Sequence, residues 1–128
     1  MYPMRDDRTA SPSKDRSRMF RMWSTPSNRL GWSTYLGELS GSTEISPYAV
    51  PARRVSLSGL PPAWIGIGTL DLFLNEDVEY ARRLRQAGVP CEIEVVPGAF
   101  HGFDQLYFAK DVTKSFRNSG IKARTWCL

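Results

Sequence analysis

One histidine, His101, and a carboxylate thirty residues before it, Asp71, are the groups in this sequence whose types and spacing suit proton chemistry. A neutral imidazole can take a proton from a hydroxyl. A buried carboxylate beside it fixes the tautomer and stabilises the imidazolium that forms. The same two residues admit a plainer reading: a histidine after an alanine-phenylalanine pair in a loop as an ordinary hydrogen-bonding residue, and an aspartate after a leucine as a cap for the helix that follows. Asp77 and Asp104 stand nearby, but Asp77 suits the first turn of a helix, where negative charge favours the dipole, and Asp104 reads as loop decoration. Trp23, Trp32 and Trp64 read as packing before they read as pocket walls. With one histidine and two well-separated cysteines, Cys91 and Cys127, no metal-ligand spacing and no disulfide framework is visible, so no metal is expected.

The elements that must position Asp71 and His101 follow from local patterning. Ala63 to Gly68 (Ala-Trp-Ile-Gly-Ile-Gly) is a short, nearly continuous apolar run after two prolines, the pattern of a strand buried on both faces. Residues 76 to 87 switch to helical spacing, with Val78, Ala81 and Leu84 as an apolar stripe, Tyr80 and Ala87 beside it, and Gly88 and Pro90 as stop signals. Cys91 to Val96 alternates and then turns apolar, as a strand near a sheet edge would. Strand, helix and strand form a βαβ unit, with a parallel sheet and a right-handed crossover expected. Ligands gather beyond the carboxyl ends of such strands, which points to two loops, 69 to 75 and 97 to 103. Asp71 lies in the first and His101 in the second.

The flanks are less ordered in pattern. Residues 5 to 18 carry little apolar periodicity and read as exposed or disordered. From 19 to 39 aromatics return, broken by Pro26 and Gly31, which predicts two short helical pieces separated by a turn. Residues 40 to 62 read as an irregular connection, and 112 to 126 as a helix interrupted at Gly120. The net charge of +4 resides in the first 31 residues, where seven cations face three aspartates. Those cations are scattered among acids, so no nucleic-acid partner is expected. The first residues lack the apolar stretch of a leader and no segment approaches a membrane span. A cytoplasmic, reducing setting is the plain expectation.

Three stretches carry a family resemblance: Pro62-Ala-Trp-Ile-Gly-Ile-Gly-Thr-Leu-Asp-Leu-Phe-Leu-Asn-Glu-Asp77, Tyr80-Ala-Arg-Arg-Leu-Arg-Gln-Ala-Gly-Val-Pro90 and Pro97-Gly-Ala-Phe-His-Gly-Phe103. In order and spacing they resemble the C-terminal part of the hormone-sensitive-lipase-like α/β-hydrolases, the alpha/beta hydrolase fold-3 esterases. The resemblance implies an α/β fold, parallel strands with a crossover helix in an incomplete sheet. Residues 1–45 would be the end of a core strand plus a lid-like helical region, and 46–128 the C-terminal βαβ-α part of the core. It puts Asp71 at the acid and His101 at the base of a Ser-His-Asp triad, in the chain order such enzymes use. The implied substrate is a small carboxylic ester, and no cofactor is implied. The family's Gly-x-Ser-x-Gly elbow has no counterpart: Gly31-Trp-Ser33 begins the pattern, but Tyr35 stands where its second glycine belongs. The isolated chain is therefore expected to be inactive. The alternative is a non-catalytic remnant or interaction protein, docking to another chain or self-associating through an open sheet edge.

Overall fold

In the computed structural model, which describes residues 1–10 and 22–126, strand β1 (Ala63–Gly68) lies parallel to strand β2 (Cys91–Val96), Ala63 opposite Cys91 and Gly68 opposite Val96. Helix α2 (Leu74–Gln86) connects them. Both strands start and stop where their apolar patterning does. The helix begins two residues earlier than its periodicity suggests.

Side chains alternate along a strand, and β1 uses both faces. Ile65 and Ile67 are fully buried on one face, Ile65 in a cluster with Leu57, Tyr80, Ala81, Leu84, Val89 and Cys91 beneath α2. Trp64 and Gly66 face helix α4 (Asp111–Trp126), whose Phe116 is wholly buried against them. Gly66 is glycine for want of room: a β-carbon there would lie 2.5 Å from Phe116 and 2.3 Å from the Trp64 ring. The core is a helix, sheet, helix sandwich.

The buried face of α2 is Asp77, Tyr80, Ala81 and Leu84, which keeps the expected Tyr80, Ala81 and Leu84 but has Asp77 in place of Val78. Val78 is 44% exposed. A carboxylate thus stands where the apolar pattern would place an aliphatic side chain, and Arg5 meets it there.

Three further expectations change. Residues 25 to 36 form one helix, α1 (Thr25–Leu36), not two pieces. Pro26 sits in its first turn, where the missing N–H has no intrahelical partner to lose, and Ser24 caps the end by accepting from the Ser27 N–H. Gly31 lies inside the helix at a cost of about 1 kcal/mol relative to alanine, and its bare backbone rests near the Trp23 ring. Gly120 does not interrupt α4, because it packs on the Trp64 ring, where a β-carbon would sit 3.3 Å away. Residues 7 to 10 form a 3-10 turn, and Asp7 is buried in a two-bond ion pair with Arg53. The rest of the stretch expected to be disordered, 11 to 18, and residues 19 to 21 lie outside the described residues.

Met4 joins two clusters. It packs against Trp32, Ile45 and Val50 near α1, and against Ile67, Leu72 and Phe73 beside β1. Tyr2 gives its N–H to Gly66 O at 2.8 Å. Ala63 and Thr69 donate toward β2, so Gly66, one of the alternate residues, points to the opposite edge, and residue 2 meets that edge. No helix among the described residues is long and apolar enough to cross a membrane.

Candidate active site

The loops that leave β1 and β2 are stitched to each other. Thr69 N–H donates to Val96 O at 3.0 Å, Leu70 N–H to Ala99 O at 2.9 Å, and Gly98 N–H to the Thr69 hydroxyl at 2.8 Å. Parallel register puts the two strand ends side by side, and these bonds fix the loops beyond them. Asp71 and His101 are thereby brought together: His101 Nδ1 lies 3.0 Å from Asp71 Oδ2.

Asp71 divides its two oxygens. Oδ1 accepts the Phe73 N–H at 3.0 Å and so shapes the turn into α2, while Oδ2 faces the imidazole. Asp71 does not cap α2, whose N-cap is Phe73 with no side-chain bond; one oxygen orders the turn before the helix and the other meets His101. Its side chain is fully buried, whereas that of His101 keeps 24% of its surface exposed. A buried carboxylate that accepts from both a backbone N–H and an imidazole favours the tautomer with its proton on Nδ1. Nε2 is then left as the basic nitrogen.

Rings surround the imidazole. Phe73 meets it edge-on with centroids 5.4 Å apart, Tyr2 at 4.8 Å and Trp23 at 6.0 Å. The Trp23 indole donates to Asn28 Oδ1 at 3.2 Å, tying that ring to α1. Spacing singles out neither Tyr2 nor Phe73, and it favours packing over a pocket wall for Trp23. Phe73 follows Asp71 by two residues, which is the one local signal that could have marked it.

Two carboxylates prove more deeply placed than their sequence positions suggest. Asp104 does not decorate a loop: it is 2% exposed, in helix α3 (Phe103–Leu106), accepting the Tyr2 hydroxyl and paired with Arg117 at 3.2 Å. Asp77 is fully buried and accepts from Arg5 Nε at 3.1 Å. Its neighbour Glu76 accepts the Arg5 N–H at 2.6 Å, and the Arg5 guanidinium lies 4.2 Å above the Tyr80 ring. Burial, only partly offset by Arg5, pushes the Asp77 carboxyl up to about 7, and burial does the same for Glu76. Among the described residues, no group of three His, Cys, Asp or Glu side chains is placed to hold a metal.

Comparison with known proteins agrees with this architecture. Residues 1–105 match the family described as alpha/beta hydrolase fold. Over 69 residues the chain is 33% identical to Esterase LipI of Mycobacterium tuberculosis (strain ATCC 25618 / H37Rv), covering 54% of this chain and 21% of that protein. Over 61 residues it is 36% identical to Carboxylic ester hydrolase LipN of the same strain, covering 48% of this chain and 16% of LipN. Among solved structures, one described as Bacterial Heroin Esterase superposes with a TM-score of 0.83 at 35% identity, covering 98% of this chain and 39% of that one. Esterase LipW from Mycobacterium marinum superposes with a TM-score of 0.76 at 32% identity, covering 98% and 38%. The chain thus spans well under half the length of each relative. With residues 1–105 matched in a single run, and with a parallel βαβ unit of the matching shape, the chain belongs to the alpha/beta hydrolase fold family, in its hormone-sensitive-lipase-like branch.

Proposed function

We propose that this chain supplies the base and the acid of a carboxylic ester hydrolase, His101 and Asp71, and that the nucleophile comes from outside these 128 residues. The observation that carries the reading is the contact between Asp71 Oδ2 and His101 Nδ1, with the rest of the imidazole partly open to solvent. In the reaction, His101 Nε2 takes the proton of an attacking serine hydroxyl and later returns it to the departing alcohol. Asp71 holds Nδ1–H and stabilises the imidazolium between those steps. The serine oxygen adds to the ester carbonyl, the alcohol leaves, and water releases the acyl group by the same proton path. The names of the relatives, esterases and a carboxylic ester hydrolase, support an ester as substrate class.

A chimaera tests this. The segment of the heroin esterase that this chain matches is replaced by residues 1–128, so that the rest of that esterase is joined to Asp71 and His101. The expected result is hydrolysis of a short-chain aryl ester, abolished by His101→Ala. A folded chimaera without turnover would overturn the proposal. The 128 residues alone, holding no elbow, are expected to give negligible turnover, since removal of a triad nucleophile costs about six orders of magnitude in kcat.

A second reading, a non-catalytic chain that docks to another polypeptide, is favoured by one feature. A cleft of about 740 Å³ opens between α4 and the sheet, with Met1, Trp64 and Ile121 on its walls. A chain that binds a partner through this cleft and stays inert in the chimaera would fit that reading.

A further inference from the structure

Asp71 holds His101 at one nitrogen, and a single hydrogen bond does not by itself fix the plane of the imidazole. The opposite constraint is a ring on a tether. The Tyr2 ring lies 4.8 Å from the imidazole, inclined at 58°. Its hydroxyl donates to Asp104 Oδ1. Arg117 of α4 grips Asp104 twice, Nε to Oδ2 at 3.2 Å and Nη2 to the backbone carbonyl at 2.7 Å. At its other end, Tyr2 is fixed by its N–H to Gly66 O. Between these anchors its backbone takes φ of 30°, a region that residues with a β-carbon seldom enter. Such a conformation persists where the surroundings over-determine it, and here bonds at both ends of one residue do so. Burial first, and then the bond to Asp104, hold the Tyr2 phenol above its ordinary pKa, so it remains a donor across the neutral range.

We propose that Tyr2, tethered through Asp104 to Arg117, is a positioning residue for His101, so that α4 and the first residues of the chain jointly set the orientation of the imidazole toward Asp71. This rests on the reading of Asp71 and His101 as a catalytic pair. A link between α3 and α4 needs only Asp104 and Arg117. Tyr2, the third member, is the one that touches the imidazole.

His101 is the single histidine of the chain, so its ring signals are unambiguous in a nuclear magnetic resonance spectrum of the 128-residue protein. The Nδ1 proton shared with Asp71 is expected as a low-field resonance at neutral pH that Asp71→Asn removes. Tyr2→Phe, Asp104→Asn and Arg117→Met are each expected to speed exchange of that proton with water roughly tenfold, as local opening becomes easier. Arg117→Lys, which keeps the charge but not the double grip, should fall between. Lys114→Met, on the same helix but paired only with exposed Asp111, should change nothing. Charge alone gives a different pattern, because Asp104→Asn and Arg117→Met alter local charge with opposite signs and would move the exchange rate in opposite directions. Opposite directions, or a Tyr2→Phe protein with unchanged exchange, would overturn the tether and leave the pair intact. Absence of any Asp71-dependent resonance in the unaltered chain would overturn the pair, and the tether with it.

Discussion

The last residue of β1, Gly68, lies so close to Ala99 that a β-carbon on it would stand 2.2 Å from the Ala99 carbonyl oxygen. That oxygen also accepts the Leu70 N–H. Between them the two contacts set how near the loop carrying His101 comes to the loop carrying Asp71.

Gly68→Ala is accordingly expected to push the 97 to 103 loop away, since the obstructing atom is backbone and cannot swing aside. Overpacking of this kind costs about 1–3 kcal/mol. Urea denaturation measures that loss, and the low-field His101 proton should disappear even where the protein remains folded. A Gly68→Ala protein of unchanged stability with the resonance intact would contradict the contact.

The buried carboxylates give the protein a pH dependence of defined sign. Glu76 and Asp77 hold their protons up to about pH 7 when folded, while the unfolded chain releases them near pH 4. Between those limits the folded state binds more protons, so stability falls as pH rises and levels off above about pH 7. Arg5, the chain amino group, Asp6 and Asp71 are the charged groups around the two carboxylates that shape this window. Unfolding midpoints should be higher at about pH 5 than at about pH 8, and Asp77→Asn should flatten the difference. A rising profile across the same range would refute the assignment.

Asp7 and Arg53 form a different kind of pair, two parallel bonds at 2.9 and 2.7 Å with Arg53 also donating to Ser42 O. Asp7→Ala leaves a mostly buried guanidinium without its carboxylate, and breaking a buried pair from one side costs about 3–5 kcal/mol. Calorimetric unfolding of the variant measures it. A loss below about 1 kcal/mol, the range of exposed pairs, would mean that the 3-10 turn at residues 7 to 10 is not docked.

Phe116 anchors α4 to the sheet, wholly buried among Trp64, Phe103 and Tyr2. Phe116→Ala should cost about 3–5 kcal/mol. Because Trp64 loses its ring partner, its fluorescence should shift toward that of a solvated indole. Retained emission and stability would mean that α4 packs elsewhere.

Much of the core could be read from local pattern. The run at 63–68 is nearly continuously apolar, that at 91–96 alternates before it ends apolar, and prolines flank them, so nothing nearby competes with the strand assignment. Helical spacing between them leaves a parallel βαβ unit as the arrangement. Val78 and Gly120 depart from expectation for one common reason: local pattern sets the expectation, while a partner distant in sequence decides the place of each. Arg5 draws Asp77 inward and turns Val78 out. Trp64 supplies a surface that Gly120 can lie against.

By itself, the sequence determined the order of the central elements and the ends of the two strands, the placement of Asp71 and His101 just past those strand ends, and the likeness to a family of hydrolases. Those properties follow from periodicity and loop position, which are local. The tertiary structure alone decided that Asp71 shares its oxygens between Phe73 and His101, that Tyr2 and Trp23 wall the imidazole, and that Asp104, Asp77 and Asp7 are buried and paired. A carboxylate and an arginine separated by 72 positions, as Asp77 and Arg5 are, leave no periodic trace. Folding alone brings them together: it buries the Asp77 carboxyl, and Arg5 offsets only part of the cost of its charge.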